Sequence, residues 1–220
     1  MAYQLVIGNK NYSSWSMRPW VLMTHFGIPF EEVRIPLYTP AWQAQIRKVS
    51  PTGKVPCLIY DATTVWDSLA IAETLHERHP ALGLYPADPA ARALARSVSA
   101  EMHSGFSTIR AQMSMNIRLA VVHSMASEVL RSEVERVKEI FTTCLARSGG
   151  PYLFGQFSIA DAMYAPVVMR FRSYGVSLDA TCDAYRETIV RNPAVSRWIS
   201  EALAEAETIP DYETESRKHL

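Results

Sequence analysis

Apolar and polar positions change their spacing along the first part of the chain in a way that predicts alternating strands and helices. Short runs of alternating apolar residues at 3–7 and 30–36 predict two strands. Between them, apolar residues recur at helical spacing from Ser16, and Gly27 supplies a stop signal. This part of the chain therefore predicts a βαβ unit.

A hairpin and a helix are predicted next. Two β-prone runs, 57–60 and 65–66, are separated by the four turn-forming residues 61–64, which is a typical hairpin length. Apolar residues at helical spacing then fill 67–80. With one more helix before the hairpin, the predicted order is βαβ-α-ββα.

The pattern changes after residue 80. Residues 81–89 form a linker punctuated by proline, and residues 90–220 show helical periodicity with almost no strand signal. We therefore expect an α/β domain at 1–80 and an all-α domain at 90–220. The first helix of the second domain is predicted to run from Ala90 to beyond Met115. Its apolar stripe and the adjacent polar stripe consist of Met102, Phe106, Ile109 and Met113, and of His103, Ser107, Arg110 and Ser114.

Two start signals mark later helices. Ser158 and Asp161 have the spacing of a capping box, with aspartate in place of the usual glutamate, so loss of Asp161 is expected to reduce stability before it reduces catalysis. Asn192, followed by proline, caps a final helix. The polar tail at 210–220 has no core pattern, and two alternatives stay open: it is mobile, or it folds over a cleft.

Composition excludes several classes of function. The 220 residues carry 22 basic and 22 acidic side chains, so no net charge draws the chain to nucleic acid or to a membrane. Three scattered cysteines do not predict a disulfide framework, and the six histidines, including His219, lack the spacing of metal ligands. Neither a signal peptide nor a membrane span is apparent. We predict a cytoplasmic protein without a metal.

The segment Ser50-Pro51-Thr52-Gly53-Lys54-Val55-Pro56 carries the first candidate chemistry. If the Val55–Pro56 bond is cis, the backbone groups of Val55 are free to pair with a peptide-like ligand, as an added strand would. A trans proline that opens an edge strand is the alternative. Asp67 and Ser68 begin a helix whose N-terminus can hold a ligand carboxylate, and Asp67 can pair with a ligand ammonium. Alternatively, the two residues only cap that helix.

A serine-rich loop, Asn11-Tyr12-Ser13-Ser14-Trp15-Ser16, precedes the first helix. It lacks a C-x-x-C motif, which excludes thioredoxin-type disulfide exchange at this position. Cys57 lies in an apolar strand, where a core role is favoured over a reactive one. Any reactive sulfur at this loop must therefore come from a ligand.

These motifs and the order of elements resemble the cytosolic glutathione transferase family, whose first domain is thioredoxin-like. The loop is most similar to the S-S-C-S loop of the zeta class, which includes the maleylacetoacetate isomerases, although Trp15 stands where that class has cysteine. The resemblance implies that Ser13 is the partner of the glutathione sulfur, with Ser14 close behind. It also implies glutathione-binding roles for Trp15, Lys54, Val55, Pro56, Asp67 and Ser68.

For the second substrate, the resemblance implies a pocket on the first long helix of the helical domain. Phe106 and Met113 would line its apolar part, while His103 and Arg110 would face an anionic group. Two alternatives stay open: Phe106 and Met113 are interhelix core, and Arg110 makes a surface or dimer salt bridge.

The implied chemistry is activation of the glutathione thiol. A free thiol has a pKa of about 8.5, and lowering it by about two units requires about 2.7 kcal/mol of preferential stabilisation of the thiolate. The expected reaction is conjugation of glutathione to a small electrophile. Alternatives are a zeta-like cis–trans isomerisation, a peroxide-reducing activity, or a non-catalytic module that binds glutathione or a protein. The resemblance also implies a homodimer.

Overall fold

The computed structural model describes residues 2–218, apart from the side chain of Glu215, and His219 lies outside this range. Its first part has the predicted order βαβ-α-ββα. The elements are β1 (Tyr3–Ile7), α1 (Ser14–His25), β2 (Phe30–Arg34), α2 (Trp42–Ile46), β3 (Cys57–Tyr60), β4 (Thr63–Trp66) and α3 (Ser68–Arg78).

The four strands form one mixed sheet in the order β2-β1-β3-β4. β1 runs parallel to β2, with Val6 opposite Val33, and antiparallel to β3, with Leu5 opposite Leu58. Leu5 and Leu58 are both fully buried, which places this register at the centre of the core. The predicted thioredoxin-like arrangement is confirmed.

Two boundaries differ from the sequence prediction. β4 already begins at Thr63, which pairs with Tyr60, so the hairpin turn has two residues rather than four. Asp61 takes a positive φ of 51° in this turn, a conformation that aspartate tolerates better than most residues. α1 begins at Ser14 rather than Ser16, because the Ser13 side chain accepts a hydrogen bond from the Ser16 N–H and caps the helix.

The regular secondary structure in the rest of the described chain is helical, apart from two isolated β-bridges within residues 152–156. In residues 2–218, no helix is both long enough and apolar enough to cross a membrane. After a 3₁₀ turn (Pro80–Leu82), the helices are α4 (Pro89–Ser104), α5 (Ser107–Gln112), α6 (Glu128–Ser148), α7 (Ile159–Ser173), α8 (Ala180–Arg191), α9 (Pro193–Ala204) and α10 (Pro210–Glu215).

The prediction of one helix from Ala90 to beyond Met115 is wrong. α4 ends at Ser104, because Gly105 adopts an extended backbone in which a Cβ atom would lie 2.8 Å from the carbonyl oxygen of Glu101. Phe106 follows with a positive φ of 54°, and α5 is a separate short helix.

α7 is the central helix of the helical part, and it packs against α1. Its capping box is present as predicted: the Asp161 carboxylate accepts from the Ser158 N–H, and the Ser158 side chain accepts from the N–H of Asp161. Asp161 also accepts from the Leu153 N–H and the Tyr185 hydroxyl. Nearly every α7 side chain is buried, including one arginine, Arg170.

Candidate functional site

A cavity of about 780 Å³ lies where the loops of the α/β part meet the helical part. Both ends of the chain contribute to it. Its lining comprises Tyr12, Ser13, Ser14, Trp15, Leu37, Tyr38, Trp42, Gln43, Arg47, Thr52, Gly53, Lys54, Val55, Arg110, Ala111, Ser114, Met115, Arg170, Asp211 and Tyr212.

The two candidate serines make different hydrogen bonds. The Ser13 hydroxyl donates to Ser16 Oγ at 2.7 Å, and its oxygen accepts from the Ser16 N–H at 3.4 Å. Ser14 Oγ accepts a hydrogen bond from Arg170 Nη2 at 3.1 Å. Among the described residues, no acceptor is found for the Ser14 hydroxyl proton. Ser13 is thus engaged in capping α1, whereas Ser14 keeps a proton to donate.

Arg170 reaches this position from α7, 156 residues further along the chain. Its Nη1 donates to the carbonyl oxygen of Met113. Burial, followed by repulsion from Arg110, lowers the pKa of Arg170 to about 10, so it remains a cation at neutral pH. Sequence reasoning missed this residue. The available signal was an arginine one turn from Val167 and next to Phe171, within the otherwise apolar run 162–171.

The Trp15 ring contacts two cationic groups. The guanidinium of Arg18 lies 4.2 Å from the centre of the indole, and that of Arg110 lies 5.5 Å away. Burial and repulsion from Arg170 and Arg110 lower the pKa of Arg18 to about 9. The indole therefore forms a wall of the cavity and contacts two arginines that repel each other.

Lys54 and Val55 line the same cavity as the serines, and the Val55–Pro56 bond is cis. Pairing of β3 with β1 begins only at Cys57, so Val55 lies outside that ladder. Cys57 itself is fully buried, and burial raises the pKa of its thiol to about 11, which agrees with a core role.

Asp67 and Ser68 lie at the start of α3, where both already have protein partners. Asp67 caps the helix by accepting from the N–H groups of Leu69 and Ala70. Its other oxygen lies 2.6 Å from His103 Nε2, and Ser68 Oγ accepts from Arg18 at 3.2 Å. The anionic group that His103 faces in the structure is therefore Asp67, and a role of His103 toward a second substrate stays a prediction.

Of the other residues of the expected second-substrate pocket, one lines the cavity and two lie in the hydrophobic core. Arg110 lines the cavity and donates to the backbone carbonyl of His103, and it makes no salt bridge with the described residues of its own chain, while a salt bridge across a dimer stays a prediction. Phe106 and Met113 are 7% and 0% exposed and belong to the hydrophobic core rather than to the cavity lining. The structure places these two with the interhelix core, because the chain turns at Gly105 and directs them inward.

The C-terminal tail folds over the cavity, which decides between the two alternatives for residues 210–218. Asp211 and Tyr212 of α10 line the cavity, and the Tyr212 ring lies 6.1 Å from that of Tyr38, which also lines it. Glu213 fixes the helix by accepting from the Tyr12 hydroxyl at 2.7 Å and from Asn116 Nδ2 at 3.0 Å. Sequence reasoning did not assign these contacts, because their partners lie about 100 and 200 residues away.

The electrostatics of the cavity are strongly asymmetric. Four cationic side chains line it (Arg47, Lys54, Arg110 and Arg170), against one carboxylate, Asp211. Within residues 2–218 there is no group of three or more His, Cys, Asp or Glu side chains able to hold a metal ion. The arrangement suits a small anionic ligand that lies across the N-terminus of α1.

A thioredoxin-like sheet joined to a helical bundle, with a hydroxyl at the start of α1 and a cationic cavity between them, defines a class of thiol-binding proteins. The comparisons with known proteins agree with this class. The glutathione S-transferase N-terminal domain model matches residues 12–78, and the C-terminal domain model matches residues 91–201. The chain belongs to the glutathione S-transferase family, and the predicted family is confirmed.

Curated relatives and solved structures place the chain within that family. It is 30% identical to the maleylacetoacetate isomerase of Rattus norvegicus over 172 residues, which cover 76% of this chain and 77% of the rat protein. A probable maleylacetoacetate isomerase of Caenorhabditis elegans is 25% identical over 185 residues, 83% of this chain and 86% of that protein. The crystal structure of a Burkholderia glutathione transferase homologue with bound glutathione superposes with a TM-score of 0.71 at 25% identity, covering 93% of this chain and 100% of the other.

Proposed function

We propose that this chain is a glutathione transferase that binds reduced glutathione in the cavity at the start of α1 and holds its thiol as the thiolate. One observation carries the proposal: the serines that open α1 line the same cavity as Lys54, Val55 and an excess of cationic side chains. Glutathione has two carboxylates and one ammonium group, and the thiolate adds another negative charge. A strongly cationic cavity favours this ionised form.

Ser14 is the better placed candidate to donate a hydrogen bond to the ligand sulfur. Its oxygen is held by Arg170, and its proton has no acceptor among the described residues. The Ser13 hydroxyl is occupied by Ser16. We therefore place Ser14 before Ser13, which reverses the order inferred from the sequence. The N-terminus of α1 and a strengthened hydroxyl donor both favour the thiolate, and together they are of the size needed to lower its pKa by about two units.

The peptide part of glutathione has candidate partners on the other side of the cavity. The backbone of Val55, before the β3 ladder begins, is free to pair with the peptide as an added strand would. Lys54 supplies a positive charge for a carboxylate, Trp15 supplies an apolar wall, and Pro56 orients Val55. Asp67 and Ser68, at the start of α3, also contact a ligand group in this proposal. They keep their present hydrogen-bond partners, His103 and Arg18.

The second substrate in this proposal is a small electrophile that enters beside Arg110. The thiolate attacks an electrophilic carbon and forms a C–S bond. In a substitution, the leaving group departs with its bonding electrons. In an addition, the π electron pair moves to an adjacent carbonyl oxygen, and the resulting enolate takes a proton from water. An anionic electrophile is favoured, because Arg110 and Arg170 lie on that side of the cavity.

Glutathione-dependent cis–trans isomerisation is the second candidate function. It is supported by the relatives that are named maleylacetoacetate isomerases. The thiolate adds to a conjugated double bond, the adduct rotates about the new single bond, and the enolate electrons re-form the double bond as the thiolate leaves. Glutathione is regenerated, and no other reactant is consumed.

The place and assembly of the protein also remain proposals. We propose a cytoplasmic location, in agreement with the three cysteines, which are all free thiols. We also propose a homodimer. Trp66, Val122 and Val129 are 46, 75 and 59% exposed on the single chain and are candidates for burial between two copies. Sedimentation equilibrium tests the dimer: a monomer at all concentrations contradicts it.

The proposed activity is tested with Ser14→Ala and its matched neighbour Ser13→Ala. Glutathione affinity, measured by isothermal titration, should change little in Ser14→Ala, because the peptide contacts remain. Turnover with maleylacetoacetate-like and halogenated electrophiles should fall by about 100-fold, as expected for loss of one charge-stabilising donor. Binding without measurable turnover in the wild-type protein would instead support a non-catalytic module. Peroxide-dependent oxidation of glutathione, assayed in parallel, identifies a peroxidase.

A further inference from the structure

Arg170 connects the helical part of the chain to the serines that open α1. It lies on α7 and is 5% exposed. One nitrogen of its guanidinium donates to Ser14 Oγ at 3.1 Å, and the other donates to the carbonyl oxygen of Met113, with a longer contact of 3.5 Å to that of Arg110. Because both ends of the planar group are engaged, its orientation toward Ser14 is fixed.

Among residues 2–218, the charge of Arg170 has no acidic counterpart. In the part of the chain that the structure describes, its hydrogen-bond acceptors are two carbonyl oxygens and one hydroxyl. The titratable side chains that act on it are Arg110 and Arg18, which repel it, and the tyrosines Tyr174 and Tyr212. A buried cation without an anionic partner is unfavourable. An anion bound in the cavity beside Ser14 would therefore stabilise this arrangement.

The hydrogen bond from Arg170 also determines what the Ser14 hydroxyl can do. With a guanidinium N–H directed at its oxygen, the hydroxyl proton must turn away from Arg170. Ser14 lines the cavity, so the remaining orientations include the one that faces a ligand. A charged donor on the oxygen also polarises the hydroxyl and strengthens the hydrogen bond that it donates.

We infer that Arg170 is a positioning residue for glutathione activation, which fixes Ser14 so that its hydroxyl proton faces the ligand sulfur. The inference rests on the proposed function and extends it to a residue of the helical part. The activating group is then a pair, Arg170 and Ser14, contributed by α7 and α1. The chemistry includes no covalent step at Arg170: the thiol releases its proton to solvent, and Ser14 donates a hydrogen bond to the resulting thiolate.

The test measures the pKa of the glutathione thiol in its complex with the protein, from the ultraviolet absorbance of the thiolate as a function of pH. Arg170→Met and Arg170→Lys should each raise this pKa by about one unit. Lysine keeps the charge but cannot bond to both Ser14 and the carbonyl of Met113. When Ser14→Ala is already present, either change at Arg170 should raise the pKa by less than about a third of a unit.

Three results would overturn the inference. A wild-type thiol pKa in Arg170→Lys shows that charge alone matters. An equal shift with and without Ser14→Ala shows that Arg170 does not act through Ser14. An unchanged thiol pKa in Arg170→Met shows a structural role only. Arg131→Met is the matched control: this arginine also donates to two backbone carbonyls, those of Met125 and Ala126, does not line the cavity, and should leave the thiol pKa unchanged.

A second comparison covers the case in which the Arg170 variants do not fold. Ser14→Ala alone should raise the thiol pKa by about one unit, and Ser13→Ala should raise it by less. The opposite order overturns the inference without any change at Arg170. Titration of glutathione into the wild-type protein distinguishes failure of the proposed function from failure of the inference about Arg170. Absence of binding refutes the proposed function and the inference with it, whereas binding with an unaffected thiol pKa refutes the inference alone.

Discussion

Replacement of Asp161 by alanine should destabilise the protein strongly without a direct effect on the cavity. The carboxylate is fully buried and serves as acceptor for the N–H groups of Leu153 and Ser158 and for the hydroxyls of Ser158 and Tyr185. It ties the start of α7 to the preceding loop and to α8. None of these residues lines the cavity.

The expected loss follows from the donors left without acceptors. The Ser158 hydroxyl can rotate, but two N–H groups and the Tyr185 hydroxyl remain buried, at a cost of about 1–3 kcal/mol each. Part of this is offset, because burial raises the pKa of Asp161 from 3.8 to about 6, which corresponds to about 3 kcal/mol for keeping the charge at neutral pH. The middle of this range is about 2 kcal/mol for each of the three donors. After subtraction of the offset, the expected loss in the free energy of unfolding is about 3 kcal/mol.

Urea unfolding of wild type and Asp161→Ala measures this difference directly. Asp179→Ala is the matched control, since Asp179 is an exposed N-cap that bonds the N–H of Cys182, and it should cost only about 1 kcal/mol. A loss at Asp161 no larger than that at Asp179 would refute the reasoning.

The same comparison has a defined pH dependence. Because the folded pKa of Asp161 is raised, the stability that its protonated form contributes is fully present below about pH 4 and is lost as the pH rises through about 6. Alanine lacks this contribution. The difference between wild type and Asp161→Ala should therefore shrink by about 2 kcal/mol between about pH 4.5 and pH 8. A difference that grows with pH contradicts the raised pKa.

Two further predictions concern the chain turn and the C-terminal helix. Gly105→Ala places a Cβ 2.8 Å from the Glu101 carbonyl and should cost about 1–3 kcal/mol in urea unfolding, whereas an unchanged midpoint would show that the turn adapts freely. Glu213→Ala removes the acceptor for the Tyr12 hydroxyl and the Asn116 side chain. Limited proteolysis should therefore cleave the tail after Arg217 several-fold faster than in the wild-type protein. Unchanged cleavage would show that other contacts hold α10.

Local features of the fold were readable from the sequence because their causes are local. The capping box at Ser158 and the cap at Asn192 depend on residues within one turn, and both are present. The break after α4 was missed, although Gly105 is visible, because the apolar stripe from Met102 to Met113 continues across it. That stripe records which side chains are buried and does not require a continuous helix.

The site was only partly predictable, because the sequence pattern shows local features and does not show contacts between distant residues. Its local segments, the serine loop and the residues around Val55, were singled out, and both line the cavity. The groups that decide the chemistry of these segments come from distant parts of the chain. Arg170 binds Ser14 across 156 positions, and α10 closes the cavity from the C-terminal end. No local periodicity encodes such pairings, which depend on the packing of α7 against α1.

The measurement that tests the central claim most directly is the ultraviolet absorbance of glutathione bound to the wild-type protein, followed across pH and compared with Ser14→Ala. We expect bound glutathione with a thiolate signal at neutral pH, and a bound thiol pKa about two units below that of free glutathione. In Ser14→Ala the signal should require a higher pH while binding persists. Glutathione that binds only as the neutral thiol, or that does not bind, would contradict the account.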